Sequence, residues 1–280
     1  MFSDVLLTVD FDRTLTDPVS VIPQRNIEAI RYFTENGGAF TVNTGRSVAT
    51  LWEYMDQIPA NAPFLLMNGS ATYQNGKGTN LRLLDLDVWQ TMKEMRRMFP
   101  DLNLEIQGLE KHYLIDPNKE YLEFYDNSHW RYAPAIWGQD VGPFLKFSLF
   151  GKVRRPIMAD MFEGTEEEFS YFSAVKEEIE RLYGDKVTVF RAAPRIIDVH
   201  TAGVSKLVAA RDLQKELNKK ILVCVGDAEN DICMLEGADY AFCPSDGIVA
   251  DRFPNVCTCS EGAVADVIYK EIPKILGILP

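Results

Sequence analysis

Val5-Leu-Leu-Thr-Val9-Asp10-Phe-Asp12-Arg-Thr14 is the stretch on which the fold turns. Five apolar or β-branched residues in a row, ended by acids, read as a strand buried on both faces. Such strands belong to parallel sheets covered by helices, and open α/β sheets bind ligands beyond the carboxyl ends of their strands. The chain that follows agrees. Pro23 stands near the start of a segment in which Ile27, Ile30 and Phe33 recur at helical spacing, and Gly37-Gly38 closes it. Residues Ala39–Val42 read as a second strand, 47–58 as a helix and 64–67 as a third strand. Strand, helix, strand, helix, strand predicts a parallel sheet with right-handed crossovers.

That rhythm stops at Asn68-Gly69 and Asn75-Gly76, the second of which reads as a hairpin turn. From about 85 to 190 helical patterns (88–99, Glu166–Tyr183) mix with strand-like pieces (102–106, His112–Ile115, Lys146–Phe150, 186–190) and an aromatic stretch from His129 to Trp137. Thr165 with Glu168 three residues on reads as a capping box. The βα rhythm resumes after Arg195-Ile-Ile-Asp-Val199, with a helix near 204–217, a strand Ile221–Val225, a short helix 231–236, a strand 240–243 and a last helix from Ala263. The expected organisation is a Rossmann-like α/β core in two segments, 1–84 and 191–280, interrupted by an inserted α+β cap domain, 85–190.

With 280 residues, 46% of them hydrophobic, the chain is long enough for a sizeable core and excludes disordered and collagen-like classes. The net charge of −12 and the lack of basic runs exclude nucleic acid as a partner. No apolar run approaches the roughly 18 residues of a membrane helix, and no basic leader precedes the first strand, so the expected location is cytoplasmic. Five cysteines, an odd number mostly in apolar stretches, read as reduced buried thiols; Cys257-x-Cys259 lacks the second ligand pair a zinc site needs.

Four short segments carry chemistry. Asp10 and Asp12 lie just past the first strand, where two neighbouring carboxylates repel unless a cation or a reaction uses them; turn or cap aspartates are the alternative. Gly226-Asp227-Ala-Glu-Asn230-Asp231 follows another buried strand, and if the two strands are neighbours, the Asp227 carboxylate faces Asp10 and Asp12 in a set of oxygens suited to Mg²⁺. Asn230 and Asp231 either buttress that site or cap the next helix. Thr44-Gly45 leads from the second strand into a helix start, a ready anion site. Lys206 also stands near a helix start, where a cation is disfavoured unless an anion sits beside it.

In this order, with an insertion between the second and third, the segments Asp10-Phe-Asp-Arg-Thr14, Thr44-Gly-Arg46, Lys206 and Gly226-Asp-Ala-Glu-Asn-Asp231 resemble the four motifs of haloacid dehalogenase-like (HAD) phosphatases. Gly-Val-Ser-Lys206 and Gly-Asp-Ala-Glu-Asn-Asp231 are similar to the Cof-type group with a type IIB cap. The resemblance implies that Asp10 is the nucleophile that becomes an aspartyl phosphate and that Asp12 is the general acid and base. It implies Mg²⁺ on the Asp10 carboxylate, the Asp12 backbone carbonyl and the Asp227 carboxylate. Phe11, Thr44, Gly45, Lys206 and Asn230 are implied to cradle the phosphoryl oxygens, and Asp231 to orient Lys206 or a bound water. The implied substrate is a small phosphorylated metabolite, a sugar phosphate first, acted on by a monomer or homodimer. Transfer to another hydroxyl, as in related mutases, and a weakly catalytic phospho-ligand sensor are the alternatives.

Specificity is expected in the cap, with His129, Trp130 and Arg131 as candidates for a sugar or other polar ring; buried cap core is the competing reading. Three departures from the family pattern stand out. Arg13 replaces a common glycine, Asn43 replaces a small residue, and Phe242-Cys-Pro-Ser-Asp246 replaces a glycine-rich stretch.

Overall fold

In the computed structural model, which describes residues 1–140, 142–155, 160 and 163–278, the run Val5–Val9 is strand β1, buried along its whole length. Helix α1 (Gln24–Glu35), β2 (Ala39–Val42), α2 (Val48–Met55), β3 (Phe64–Leu66), β4 (Ala71–Gln74) and β5 (Lys77–Thr79) follow. Next come α3 (Val88–Met98), β6 (Asn103–Gln107), β7 (His112–Ile115), α4 (Lys119–Asn127), β8 (Tyr132–Pro134), β9 (Lys146–Phe150), α5 (Glu166–Tyr183), β10 (Val187–Ala193) and β11 (Ile196–Thr201). The chain ends with α6 (Lys206–Glu216), β12 (Ile221–Val225), α7 (Ile232–Glu236), β13 (Tyr240–Pro244), β14 (Asn255–Val256), α8 (Ala263–Asp266) and α9 (Ile272–Ile275). Among the described residues no helix is long and apolar enough to cross a membrane.

Two compact units emerge. The first comprises Met1–Gly45, Glu53–Thr79 and Ser205–Pro280. Its main sheet is parallel in the order β14-β13-β12-β1-β2, with β1 between the strands that precede the second and fourth motifs. Leu6, Leu222, Cys224 and Cys243 from its strands meet Ala210, Leu213, Met234 and Leu235 from α6 and α7 in one buried cluster. The third strand departs from expectation. β3 keeps a single parallel bridge, Leu65 to Asn43, and otherwise pairs antiparallel with β4, which turns at Asn75-Gly76 into β5.

The second unit comprises Arg46–Trp52 and Asn80–Val204, wider than the 85–190 insertion expected. Its sheet runs β10-β11-β9-β6-β7-β8, antiparallel except at β7-β8. The boundary expected at 190/191 falls inside β10, and the run beginning Ile196-Ile-Asp-Val199 pairs antiparallel with both β10 and β9. A short apolar run of this kind suits a buried parallel strand and an antiparallel one alike, which is why periodicity misplaced it.

Side-chain alternation makes the two faces of this sheet chemically different. Leu104, Ile106, Phe147, Leu149, Ile197 and Val199 pack with Met92 and Met95 of α3 and Phe172, Val175 and Ile179 of α5. Glu105, Gln107, Lys146, Ser148, Asp198 and His200, the intervening residues, are also buried. Several pair with one another: Gln107 Nε2 donates to Ser148 Oγ at 3.0 Å, and Ser148 Oγ and Lys146 Nζ each donate to Asp198 at 2.6 Å, while Gln107 Oε1 has no hydrogen-bond partner among the described residues. α5 starts on the expected capping box of Thr165 and Glu168.

Glu105 is pushed from 4.5 up to about 7 by burial, which outweighs its hydrogen bonds from Tyr121, Tyr125 and Gln107 and the charge of Lys146. The unfolded chain sheds that proton near 4.5 and the native chain keeps it to about 7, so native stability falls as pH rises across that window. Urea denaturation at a series of pH values should therefore show a shallower slope over that range for Glu105→Gln than for the wild type; equal slopes would remove Glu105 as the cause.

Candidate active site

The site grows out of the carboxyl ends of three adjacent strands of the first unit. The Asp10 N–H donates to the Val225 carbonyl at 2.9 Å, which carries the ladder one residue past β1 and sets Asp10 beside the end of β12. The Asn43 N–H does the same to Val9 at 2.8 Å beyond β2. After Asp10 the chain turns tightly: Asp12 has extended angles and Arg13 a left-handed φ of 56°. Thr14 comes back under the site and donates its hydroxyl to Asp227 Oδ1 at 3.0 Å.

Lys206, the first residue of α6, is buried at 1% exposure. Its ammonium donates to Asp10 Oδ1 at 2.6 Å and to Asp231 Oδ1 at 2.7 Å. The other Asp231 oxygen accepts the backbone N–H groups of Asp227 and Ala228, both at 3.1 Å. Asp231 thus fixes the loop that carries Asp227. A side chain at Gly226 would place its Cβ 2.5 Å from Asp231 Cγ, so only glycine lets this carboxylate close on the loop.

Carboxylate oxygens of Asp10, Asp227 and Asp231 lie within 4.8 Å of one another. Three acids around one ammonium leave an excess of negative charge in a desolvated place. Burial first, then the charges of Asp231 and Asp12, push Asp10 up to about 7 against the lowering pull of Lys206. Burial and the charges of Asp10 and Asp231 raise Asp227 well above the usual carboxylate range. Burial alone would lower Lys206, but Asp10 and Asp231 outweigh it and the net shift is upward. The cluster is therefore starved of positive charge. Its donors are all oxygens, and both Asp231 oxygens are committed, which leaves Asp10 and Asp227 as the acids that fit a hard divalent cation. The sequence placed Asp12 with this group; its half-buried carboxylate is not one of the three that converge.

Thr44 is buried, and its N–H donates to the Leu65 carbonyl at 2.9 Å while its own carbonyl accepts the Asn68 N–H at 2.9 Å. Gly45 follows, close enough to Asn68 that an added Cβ would lie 3.2 Å from Asn68 Oδ1. Asn230 Nδ2 donates to the same oxygen at 3.4 Å. Asn68, buried and left-handed at φ 54°, thus joins Gly45 to Asn230. Its sequence signal was only that of a turn; an asparagine before glycine at the end of the third strand was the clue available. Phe11 is buried and packs edge-on against Tyr54, with centroids 5.0 Å apart.

The aromatic stretch behaves differently. Trp130 packs edge-on against Phe124 and Tyr125, while Arg131 lies 4.5 Å over the Trp52 ring and 3.8 Å from Glu110. The His129 carbonyl accepts the Trp52 indole N–H at 3.0 Å. All of these contacts lie within the second unit.

The profile of the haloacid dehalogenase-like hydrolases matches residues 7–250. The chain belongs to this family. Among similar proteins, uncharacterized hydrolase C215.10 of Schizosaccharomyces pombe is 22% identical, over 95% of this chain and 90% of that one. The 5-amino-6-(5-phospho-D-ribitylamino)uracil phosphatase YcsE of Bacillus subtilis is 23% identical over 83% of this chain and 80% of its own. The solved structure of the HAD subclass IIB sugar phosphatase BT4131 superposes with a TM-score of 0.74 at 20% identity, covering 98% of this chain and 99% of that one.

In this HAD-like hydrolase, Asp231 serves both the ammonium of Lys206 and the loop of Asp227. Asp231→Ala leaves a buried cation short of one partner and two backbone N–H groups bare. Denaturant titration should show a loss of about 3 kcal/mol or more; a loss below about 1 kcal/mol would mean that the pair is not holding the site together.

Proposed function

We propose that this chain is a divalent-metal-dependent phosphatase of a small phosphorylated metabolite, with a sugar or polyol phosphate as the first candidate. The observation that carries the reading is the charge-starved acid cluster around Lys206 at the ends of β1 and β12. A binding module for phosphorylated ligands gains nothing from packing three carboxylates where an anion must come. A phosphoryl-transfer enzyme does, because it needs a carboxylate nucleophile together with cations that offset the charge.

Asp10 and Asp227 are the residues that would hold Mg²⁺, which when bound neutralises phosphoryl charge so that an anionic nucleophile can approach. Asp10 then attacks phosphorus in line, forming a carboxyl oxygen–phosphorus bond as the bond to the leaving oxygen breaks. Asp12, two residues on and outside the acid cluster, gives its proton to that leaving oxygen and later takes one from the water that hydrolyses the aspartyl phosphate. The second step returns Asp10 as a carboxylate and releases inorganic phosphate. Lys206, held by Asp10 and Asp231, supplies a fixed positive charge to the phosphoryl oxygens, and Thr44 and the N–H groups of Phe11 and Gly45 supply neutral donors, with Asn230 beside them. The names of YcsE and BT4131 carry phosphorylated polyol and sugar chemistry, which supports the substrate class.

The test is phosphate release from a panel of sugar phosphates, polyol phosphates, nucleotides and an aryl phosphate, with Mg²⁺ and with EDTA. Turnover that EDTA abolishes is the expected result; a folded protein that releases nothing from any of them would remove the hydrolytic reading. Asp10→Asn should lower kcat at least about a thousandfold while keeping the wild-type circular dichroism spectrum. Metal binding has its own readout. Millimolar Mg²⁺ should raise the melting temperature of the wild type, and the shift should vanish in Asp227→Asn; an equal shift in both would place the ion elsewhere.

A further inference from the structure

The connection between β3 and β4 is short, Met67 to Ser70, and unlike an ordinary hairpin loop. Loops of that length are most often built on right-handed turns and lie at the surface. Here all the connecting residues are buried, and three in succession take left-handed φ: 52° at Met67, 54° at Asn68 and 97° at Gly69. Glycine adopts that region without strain and asparagine tolerates it, but a methionine does not. Strain of this kind persists only where the surroundings hold it, and it collects at functional sites.

The surroundings are the segments that carry the site. The Thr44 N–H donates to the Leu65 carbonyl just before the turn, and the Asn68 N–H donates to the Thr44 carbonyl, both at 2.9 Å, so Thr44 is gripped at both of its peptide groups. The Asn68 carboxamide backs Gly45 so closely that an added Cβ there would lie 3.2 Å from Oδ1 and 3.4 Å from Nδ2. Its Oδ1 accepts from Asn230 Nδ2 at 3.4 Å. At Gly69 an added Cβ would lie 2.6 Å from the Ser205 carbonyl oxygen and 3.0 Å from Ala209 Cβ, so the backbone of the turn rests on the start of α6, which Lys206 opens. One buried turn of the first unit therefore touches the segments of Thr44-Gly45, Lys206 and Asn230.

Packing alone does not call for an asparagine here. An apolar side chain would fill the space without burying a carboxamide, and glycine would take the backbone angles without strain. What the carboxamide adds is an oxygen in a fixed place. An amide nitrogen carries two hydrogens, and the Asn230 nitrogen spends one on Asn68 Oδ1, which sets the plane of its carboxamide and leaves the other to donate.

We infer that Asn68 is a positioning residue for the phosphate donors: it orients the Asn230 amide and seats the Gly45 N–H, a role that rests on the phosphatase reading of those two residues. The left-handed turn is what delivers its side chain to both. Donor groups lose much of their effect when they drift by a fraction of an ångström, so Asn68 acts on affinity for the phosphoryl group.

The experiment compares the wild type with Asn68→Gly, Asn230→Ala, the double variant and Asn68→Asp. Calorimetry in magnesium buffer measures affinity for inorganic phosphate, and kcat and KM are measured with an aryl phosphate. Asn68→Gly keeps the left-handed backbone and removes the carboxamide; it should lose about three- to tenfold in phosphate affinity, with a matching rise in KM. A merely structural defect would lower the active fraction, and so kcat, while leaving affinity and KM as they were. Because Asn68 acts in part through Asn230, the double variant should lose less than the product of the two single losses. Asn68→Asp keeps the accepting oxygen but brings a negative charge beside the bound anion, so its loss should exceed about tenfold at low salt and shrink as salt is added. That variant carries the test should Asn68→Gly fold poorly. Wild-type phosphate affinity in a folded Asn68→Gly or Asn68→Asp, or single losses that simply multiply in the double variant, would overturn the inference while leaving an active phosphatase standing. A wild type that neither binds phosphate nor releases it would overturn the phosphatase reading and this inference together.

Discussion

Much of the first unit is arranged around one buried ammonium. Lys206 sits with its nitrogen 2.6 Å from Asp10 and 2.7 Å from Asp231, and all three groups are closed off from water. Each of the three comes from a different piece of chain: the end of β1, the start of α6 and the turn before α7. Burying these charges is expensive, and packing apolar residues there instead would often be as stable. What the arrangement provides is position. One cation holds two carboxylates whose mutual repulsion would otherwise splay the strand ends. In doing so it fixes Asp10 beside β12 and, through Asp231, fixes the loop that carries Asp227.

Asn43 fits the same logic and explains one departure from the family pattern. Its side-chain amide donates to the carbonyl of Lys206 at 2.9 Å and lies 3.4 Å from Met234 Sδ, so the residue after β2 grips the first residue of α6. A small residue there could not span that gap. Asn43 Oδ1 is buried with no partner among the described residues. Leaving such an acceptor bare costs on the order of 1–3 kcal/mol, and the grip on Lys206 is the contact set against it. Arg13 is the second departure. It takes the left-handed φ that a glycine would adopt without strain, which for a branched-out cation costs on the order of 1 kcal/mol.

The parts that were legible from sequence share a cause. Asp10, Thr44, Lys206 and Asp227 each follow a buried strand or open a helix, so a reading of element ends locates them without any tertiary information. Whether they converge depends on strand order, and β1 lying between β2 and β12 is what brings them together. Asn68 escaped because its contribution depends on a left-handed turn folding back against Gly45, which a turn dipeptide does not advertise. Helix α4 escaped for a different reason: its apolar face is made of Tyr121, Phe124 and Tyr125, and the aromatic run after it reads as a loop. Asn118, whose side chain accepts from the Tyr121 N–H, was the available start signal.

The second unit shows where such reading reaches its limit. Asn103 to Gln107 alternates polar and apolar, a pattern that in an antiparallel sheet ordinarily means one wet face. Here the polar face is dry. Glu105 and Gln107 are buried, and their partners come from β9 and α4 rather than from solvent. Alternation along one strand says which residues share a face, but only the neighbouring strands decide whether that face meets water. His129 and Arg131 follow the same rule: an imidazole and a guanidinium beside tryptophan suggest ligand chemistry, yet the backbone of both holds residues of the segment Arg46–Trp52. The physical distinction is whether a polar group's partner is already supplied by the chain. At the ends of β1 and β12 that supply falls short by positive charge, and in the sheet of the second unit Glu105, Ser148 and Asp198 find hydrogen-bond partners within the chain.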